Sequence, residues 1–180
     1  VIKSSFTRIC RPGDQQISVK STLFLAHGTL VKMGYQLRMT DSDYSLKTFQ
    51  NGGDVGALML AHDWSKSPLG QPSQWPSPLR SVVSLMLGSD FPMFVAWGNE
   101  LAFLYNDAYS VLLGNKHPSA IGAKFQDIWS EIWDDIAPLV TSAMAGQSTF
   151  HENMPLIMNR KGFDEETWFT FTYSPIRDDD

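Results

Sequence analysis

The chain has 180 residues, 43% apolar and 18% charged, with a formal net charge of −5. These values suit one globular domain with an extension and exclude wholesale disorder. The charge is uneven: residues 1–50 carry seven Lys/Arg against three Asp/Glu, a net of +4, and residues 51–180 carry seven against sixteen, a net of −9. A body at −9 repels phosphate backbones, and the basic amino-terminal piece has no Lys/Arg cluster interleaved with aromatics, so nucleic-acid binding is not expected. Cys10 is the only cysteine, which rules out an intramolecular disulfide. No apolar run approaches the roughly 20 residues that span a bilayer, and no secretory signal is visible, so no membrane insertion and a cytoplasmic setting are expected.

Residues 1–50 read as a poorly defined amino-terminal extension: residues 19–31 have strand-like apolar content broken by His27-Gly28, and residues 34–45 show no sustained period. Asn51-Gly52-Gly53 is a loop signal that places a boundary near residue 50, and Asp54 can cap a short helix over residues 55–62 with Leu58, Met59 and Ala61 inward. Residues 65–78 hold Pro68, Gly70, Pro72, Pro76 and Pro78, a turn-rich connector pinned by Trp64 and Trp75. Ser77-Pro78 starts an amphipathic helix, the hydroxyl capping it and Pro78 giving up an N–H that would be unpaired, with Leu79, Val82, Val83, Met86 and Leu87 at helical spacing. Residues 51–90 thus form a helical, Pro-rich lead-in to a domain over residues 91–180.

That domain opens on a hairpin. Met93, Val95 and Trp97 alternate with Phe94 and Ala96, Gly98-Asn99 turns the chain, and Leu101, Phe103 and Tyr105 alternate with Ala102 and Leu104. Asn106-Asp107 caps a helix over residues 108–113, ended by Gly114 in a left-handed conformation. Ile121-Gly122 leads into residues 125–129, after which a short helix, a break and a longer helix to Ala145, ended by Gly146, are expected. Trp129, Ile132, Trp133, Ile136, Val140, Ala143 and Met144 then share a helical face, with a break near Asp134-Asp135 so that Pro138 falls in the first turn of a helix capped by Asp135. A second hairpin closes the pattern: Phe150, Glu152, Met154, Leu156 and Met158 on one face, a polar turn over residues 159–166, then Phe169, Phe171 and Tyr173 alternating with Trp168, Thr170 and Thr172.

The run Leu104-Tyr105-Asn106-Asp107-Ala108-Tyr109, then Leu113-Gly114 and Ile121-Gly122, resembles the opening signature of a PAS sensor domain. With Asp63-Trp64-Ser65, Pro68-Leu69-Gly70, Trp75-Pro76 and residues 129–140, the likeness over residues 63–180 is to the amino-terminal PAS region of bacterial sensor and hybrid histidine kinases. The resemblance implies an α+β fold: a PAS-like antiparallel sheet with helices on one face in the order β-β-α-α-α-β-β. The fifth strand of such a sheet is missing, since the chain stops at Asp178-Asp179-Asp180, and an unpaired sheet edge is therefore expected.

The resemblance also implies a function: a sensory or regulatory module of a two-component phosphorelay that binds a small apolar or aromatic ligand or a partner, forms a homodimer, and relays a conformational change to a downstream kinase or effector domain. The alternative is the same fold without a ligand, serving dimerisation or protein interaction. The aromatic residues Trp97, Phe103, Tyr105, Tyr109, Trp129, Trp133, Phe169 and Phe171, with Asn106, are the candidate ligand-binding set; they also fit a filled core with Asn106 as a helix cap. No catalytic residue or metal site is expected. His27, His62, His117 and His151 form no ligand-spaced pair, the adjacent acids suit caps and turns, and there is no phosphate loop, phospho-acceptor helix or ATP-binding box. The cofactor stays open, but flavin photochemistry needs a cysteine within residues 63–180 and haem-binding members a histidine within residues 135–145, and neither is present. A small enzyme with an aromatic cleft is a third reading, for which the sequence offers no converging polar set.

Overall fold

The computed structural model describes the backbone of residues 2–5 and the whole of residues 47–177. The expected strand-like stretch at residues 19–31, Cys10, His27 and the turn at residues 178–180 lie outside the described residues. The fold is α+β, built on two antiparallel hairpins. β2 (Met93–Trp97) pairs with β3 (Ala102–Tyr105), and β4 (Thr149–Met158) pairs with β5 (Glu165–Pro175). Between them lies β1 (Ile2–Ser5), antiparallel to both, so that the sheet has five strands in the order β3-β2-β1-β5-β4. Among the described residues no strand follows β5, as expected, but the central position is filled by residues 2–5 of the amino-terminal segment, so the expected unpaired edge is not left there.

Directly opposed residues in an antiparallel pair share a face. Phe94, Ala96, Phe103 and Tyr105 therefore look one way, and Val95, Leu104, Trp97 and Ala102 the other. Every one of them is buried, so this hairpin is covered on both faces. On the first face lie α3 (Asp107–Leu113), α4 (Phe125–Ile128) and α5 (Trp133–Met144). Against the second packs α2 (Ser77–Leu87), through its buried stripe Leu79, Val83, Met86 and Leu87. Helices thus occupy both faces, where the sequence suggested one, because both sides of β2 and β3 are apolar. The free edge of β3 is closed by residues 122–125: Phe103 donates to the Ala123 carbonyl at 2.8 Å, Gly122 to the Phe103 carbonyl at 2.8 Å, and Phe125 to the Leu101 carbonyl at 3.0 Å.

The lead-in shares the same apolar core. Trp64 and Trp75 meet edge to face at 4.9 Å and both pack on Phe49, with Met59 and Val55 buried beside them. Three local details differ from the sequence reading. α1 (Gly53–Ala61) is not capped by Asp54; the Asp107 carboxylate receives the Asp54 and Val55 N–H groups at 3.0 and 2.7 Å, so α3 supplies the cap for α1. α2 begins after Pro76, and Ser77 makes no capping bond, although Pro78 still falls within the first turn. α5 starts at Trp133 without a side-chain cap, which leaves Pro138 inside the helix. Pro138 faces solvent and offers no N–H to the Asp134 carbonyl one turn before it.

Candidate functional site

Where α3 and α5 cross the first face of the sheet, the side chains leave a cavity of about 40 Å³. That is room for roughly two or three waters. Phe94 of β2, Phe169, Phe171 and Tyr173 of β5, and Leu156 and Met158 of β4 form its sheet side, where the Phe94 and Tyr173 rings meet edge to face at 5.8 Å. Tyr109 and Leu112 of α3, Trp129 and Ile132 of the segment before α5, and Ile136 of α5 close it above. The lining is apolar apart from two phenols and an indole N–H.

Burial pushes the Tyr109 phenol well above its ordinary range, with the Tyr173 phenol adding to the shift; a hydrogen bond from the Trp129 indole and the charge of Arg160 pull it partly back. Burial raises Tyr173 in the same way. Both hydroxyls therefore stay neutral at physiological pH and can donate or accept a hydrogen bond within the cavity. The lining is apolar, and its two phenols are the polar groups that face the space.

The rim is fastened by charged side chains. The Lys116 ammonium lies 4.4 Å over the Trp129 ring, donates to Glu131 Oε1 at 2.6 Å and also to the Ile128 carbonyl. The same Glu131 oxygen accepts from the Asn159 backbone N–H at 3.2 Å, tying the loop after α3 to the β4–β5 turn. At that turn Arg160, only 6% exposed, donates to Glu165 Oε2 at 3.0 Å and to the Leu112 carbonyl at 3.4 Å. Its own carbonyl accepts the Asn115 N–H at 2.9 Å, and a Cβ at Gly114, where φ is +55°, would sit 2.6 Å from that oxygen. Gly114 thus lets the end of α3 touch the turn.

Of the nine candidates, Tyr109, Trp129, Phe169 and Phe171 line the cavity. Phe103 and Tyr105 form a second aromatic layer behind Phe94: Phe103 stacks on Phe125 at 5.5 Å, and the Tyr105 hydroxyl pairs with His117 Nδ1 at 2.8 Å. Trp133 meets Phe125 edge to face at 6.0 Å, and Trp97 lies on the α2 face of the sheet. Neither Trp reaches the cavity. Asn106 is committed elsewhere. Its Oδ1 accepts from Met93 and Tyr109, both at 3.0 Å, and its Nδ2 reaches the carbonyls of Met86, Ser89 and Phe91 at 3.0, 2.8 and 2.7 Å. It is a structural clasp with no group left for a ligand.

Tyr173, in the same alternation as Phe169 and Phe171, also lines the cavity, together with Phe94 and the aliphatic residues Leu112, Ile132, Ile136, Leu156 and Met158, which the aromatic pattern did not mark. The helical spacing of Ile132 and Ile136 and the alternation of Leu156 and Met158 carried that signal. Among the described residues no group of three or more His, Cys, Asp or Glu could hold a metal ion, and no helix is long and apolar enough to cross a membrane. No protein-family model, no curated protein and no solved structure matches the chain.

Proposed function

We propose that this chain is a PAS-type sensory or regulatory module of a two-component signalling protein, cytoplasmic and attached to a histidine kinase, which binds a small apolar or aromatic ligand in the cavity between α3, α5 and the sheet. The observation that carries the reading is the cavity itself: an apolar space walled by both hairpins and roofed by two helices, with neutral phenols inside it. A ligand there touches both hairpins and the α3 and α5 layer at once. Its binding shifts the packing of α3 and α5 on the sheet, and that shift is the signal. The reading assigns no turnover to the chain.

A fluorescent apolar probe, 1-anilinonaphthalene-8-sulfonate, tests the site. Saturable binding that is weakened at least tenfold by filling the cavity, with Leu156→Phe or Ile136→Phe, is the expected result. Binding unaffected by both substitutions contradicts it.

A second reading, a ligand-free interaction module, is favoured by a different observation. On the outer face of the second hairpin Phe150 and Ile157 are 67% and 59% exposed, with Trp168 half-buried beside them. Among the described residues no helix covers this face, and exposed apolar side chains of this size suit a protein contact. Concentration-dependent dimerisation abolished by Phe150→Glu, with no probe binding, selects this reading.

A further inference from the structure

The sheet side of the cavity stands on different hairpins, Phe94 on β2 and Phe169, Phe171 and Tyr173 on β5, with the Phe94 and Tyr173 rings meeting edge to face at 5.8 Å across β1. β2 and β5 do not pair with each other. The backbone ladder between them runs through β1, whose Ile2, Lys3, Ser4 and Ser5 oppose Ala96, Val95, Phe94 and Met93 on one side, and whose Ile2, Lys3 and Ser4 oppose Pro175, Ser174 and Tyr173 on the other. Two wall residues, Phe94 and Tyr173, are thus both register partners of Ser4.

We propose that β1 is a displaceable strand and that its place between β2 and β5 sets the width of the cavity, so that strand release and ligand entry are coupled. The inference rests on the cavity being the ligand site. Two observations carry it. First, the cavity of about 40 Å³ is far below the roughly 300 Å³ of a small-molecule site, so a ring-sized ligand requires the walls to part. Short turns fix the internal spacing of each hairpin, and the backbone ladder between the hairpins is the strand they do not themselves supply, beside the ring contact of Phe94 with Tyr173. Second, β1 is the shortest strand of the sheet's centre, with four residues, and it meets only the last three residues of the eleven-residue β5. No short turn ties it to either neighbour, whereas β2–β3 and β4–β5 are each closed by one. A ligand that needs a wider cavity lowers the hold on β1, and by linkage a firmly seated β1 lowers ligand affinity by the same factor.

Two chains test this. Lys3→Pro removes a ladder N–H from the middle of the strand. Hydrogen exchange in peptides covering β2 and the end of β5 is expected to rise at least tenfold, while the ladder from Leu156 to Met158 against Glu165 to Thr167 stays protected; unchanged exchange in β2 overturns the displaceable strand. If that chain does not fold, a lockable chain decides. Lys3→Cys and Ser174→Cys, register partners, are joined by a disulfide in a Cys10→Ser background. The oxidised chain is expected to bind 1-anilinonaphthalene-8-sulfonate at least fivefold more weakly than the reduced chain, and equal binding overturns the coupling. Absence of binding to both overturns the ligand-site reading itself, and exchange in β2, compared between the oxidised and reduced chains, still decides whether the strand is released.

Discussion

Asn106 shows how much of the fold one side chain can hold. Its amide oxygen takes N–H groups from the start of β2 and the first turn of α3, while its nitrogen serves three carbonyls at the exit of α2. All of this happens at 1% exposure, where an unpaired backbone group costs its full desolvation. Asn106→Ala is expected to lower stability by about 3 kcal/mol in denaturant unfolding, and Asn106→Asp by at least as much, because a carboxylate turned toward three carbonyls repels them. A neutral Asn106→Asp contradicts the clasp.

Glu165 gives a pH-dependent counterpart. Burial raises its carboxyl pKa, but the hydrogen bonds and charges of Arg160 and Lys161 together outweigh that and leave it below the usual carboxylate range. A depressed folded pKa means that the stabilisation is complete above the unfolded value, about 4.3, and disappears as pH falls through the folded one. The Tm advantage of the natural chain over Glu165→Gln is therefore expected to be constant above about pH 5.5 and to close progressively below about pH 4.5. An advantage independent of pH down to about 3 contradicts the Arg160 pairing.

At the scale of elements, the hairpins, α2 and the Asn106-capped helix were legible because each is fixed by a local period or a local cap, whereas α1 takes its cap from Asp107 of α3 and leaves Ala61 exposed. The second hairpin was legible only in part. Strict alternation placed Phe150 on the face of Leu156 and Met158, but the ladder shifts between His151 and Met154. His151 opposes Phe171 and Met154 opposes Phe169, so β4 uses three steps where β5 uses two, and the extra residue turns Phe150 outward. Asn153 absorbs the irregularity at φ +52°. A bulge has no hydrophobic period, and Asn in this conformation is the one hint that the sequence contains. Asn153→Gly is expected to change stability by less than about 0.5 kcal/mol, and Asn153→Val to cost about 1–2 kcal/mol, by thermal or denaturant unfolding. Equal effects of the two contradict the bulge geometry.

The whole molecule was the least legible scale. A four-residue strand such as Ile2–Ser5 carries too short a pattern to be told from loop, and its partners are about 90 and 170 residues away in sequence, so neither its existence nor its slot follows from local chemistry. The cavity was half legible for a related reason. Aromatic residues on both hairpins and on α3 announce a packed interior, but which of them face a void depends on where α5 settles on the sheet. Trp133 and Ile136 sit on the same helix, and only Ile136 reaches the space. Tertiary placement, not residue type, separated lining from core.

The central claim is that the space between α3, α5 and the sheet admits a small molecule. Native mass spectrometry of the chain purified from cells, compared with the same sample denatured, tests it most directly. The account predicts an added mass of a small organic molecule that disappears on denaturation and is absent from the Leu156→Phe chain. The same bare mass from native and denatured samples, unchanged after incubation with 1-anilinonaphthalene-8-sulfonate, contradicts it.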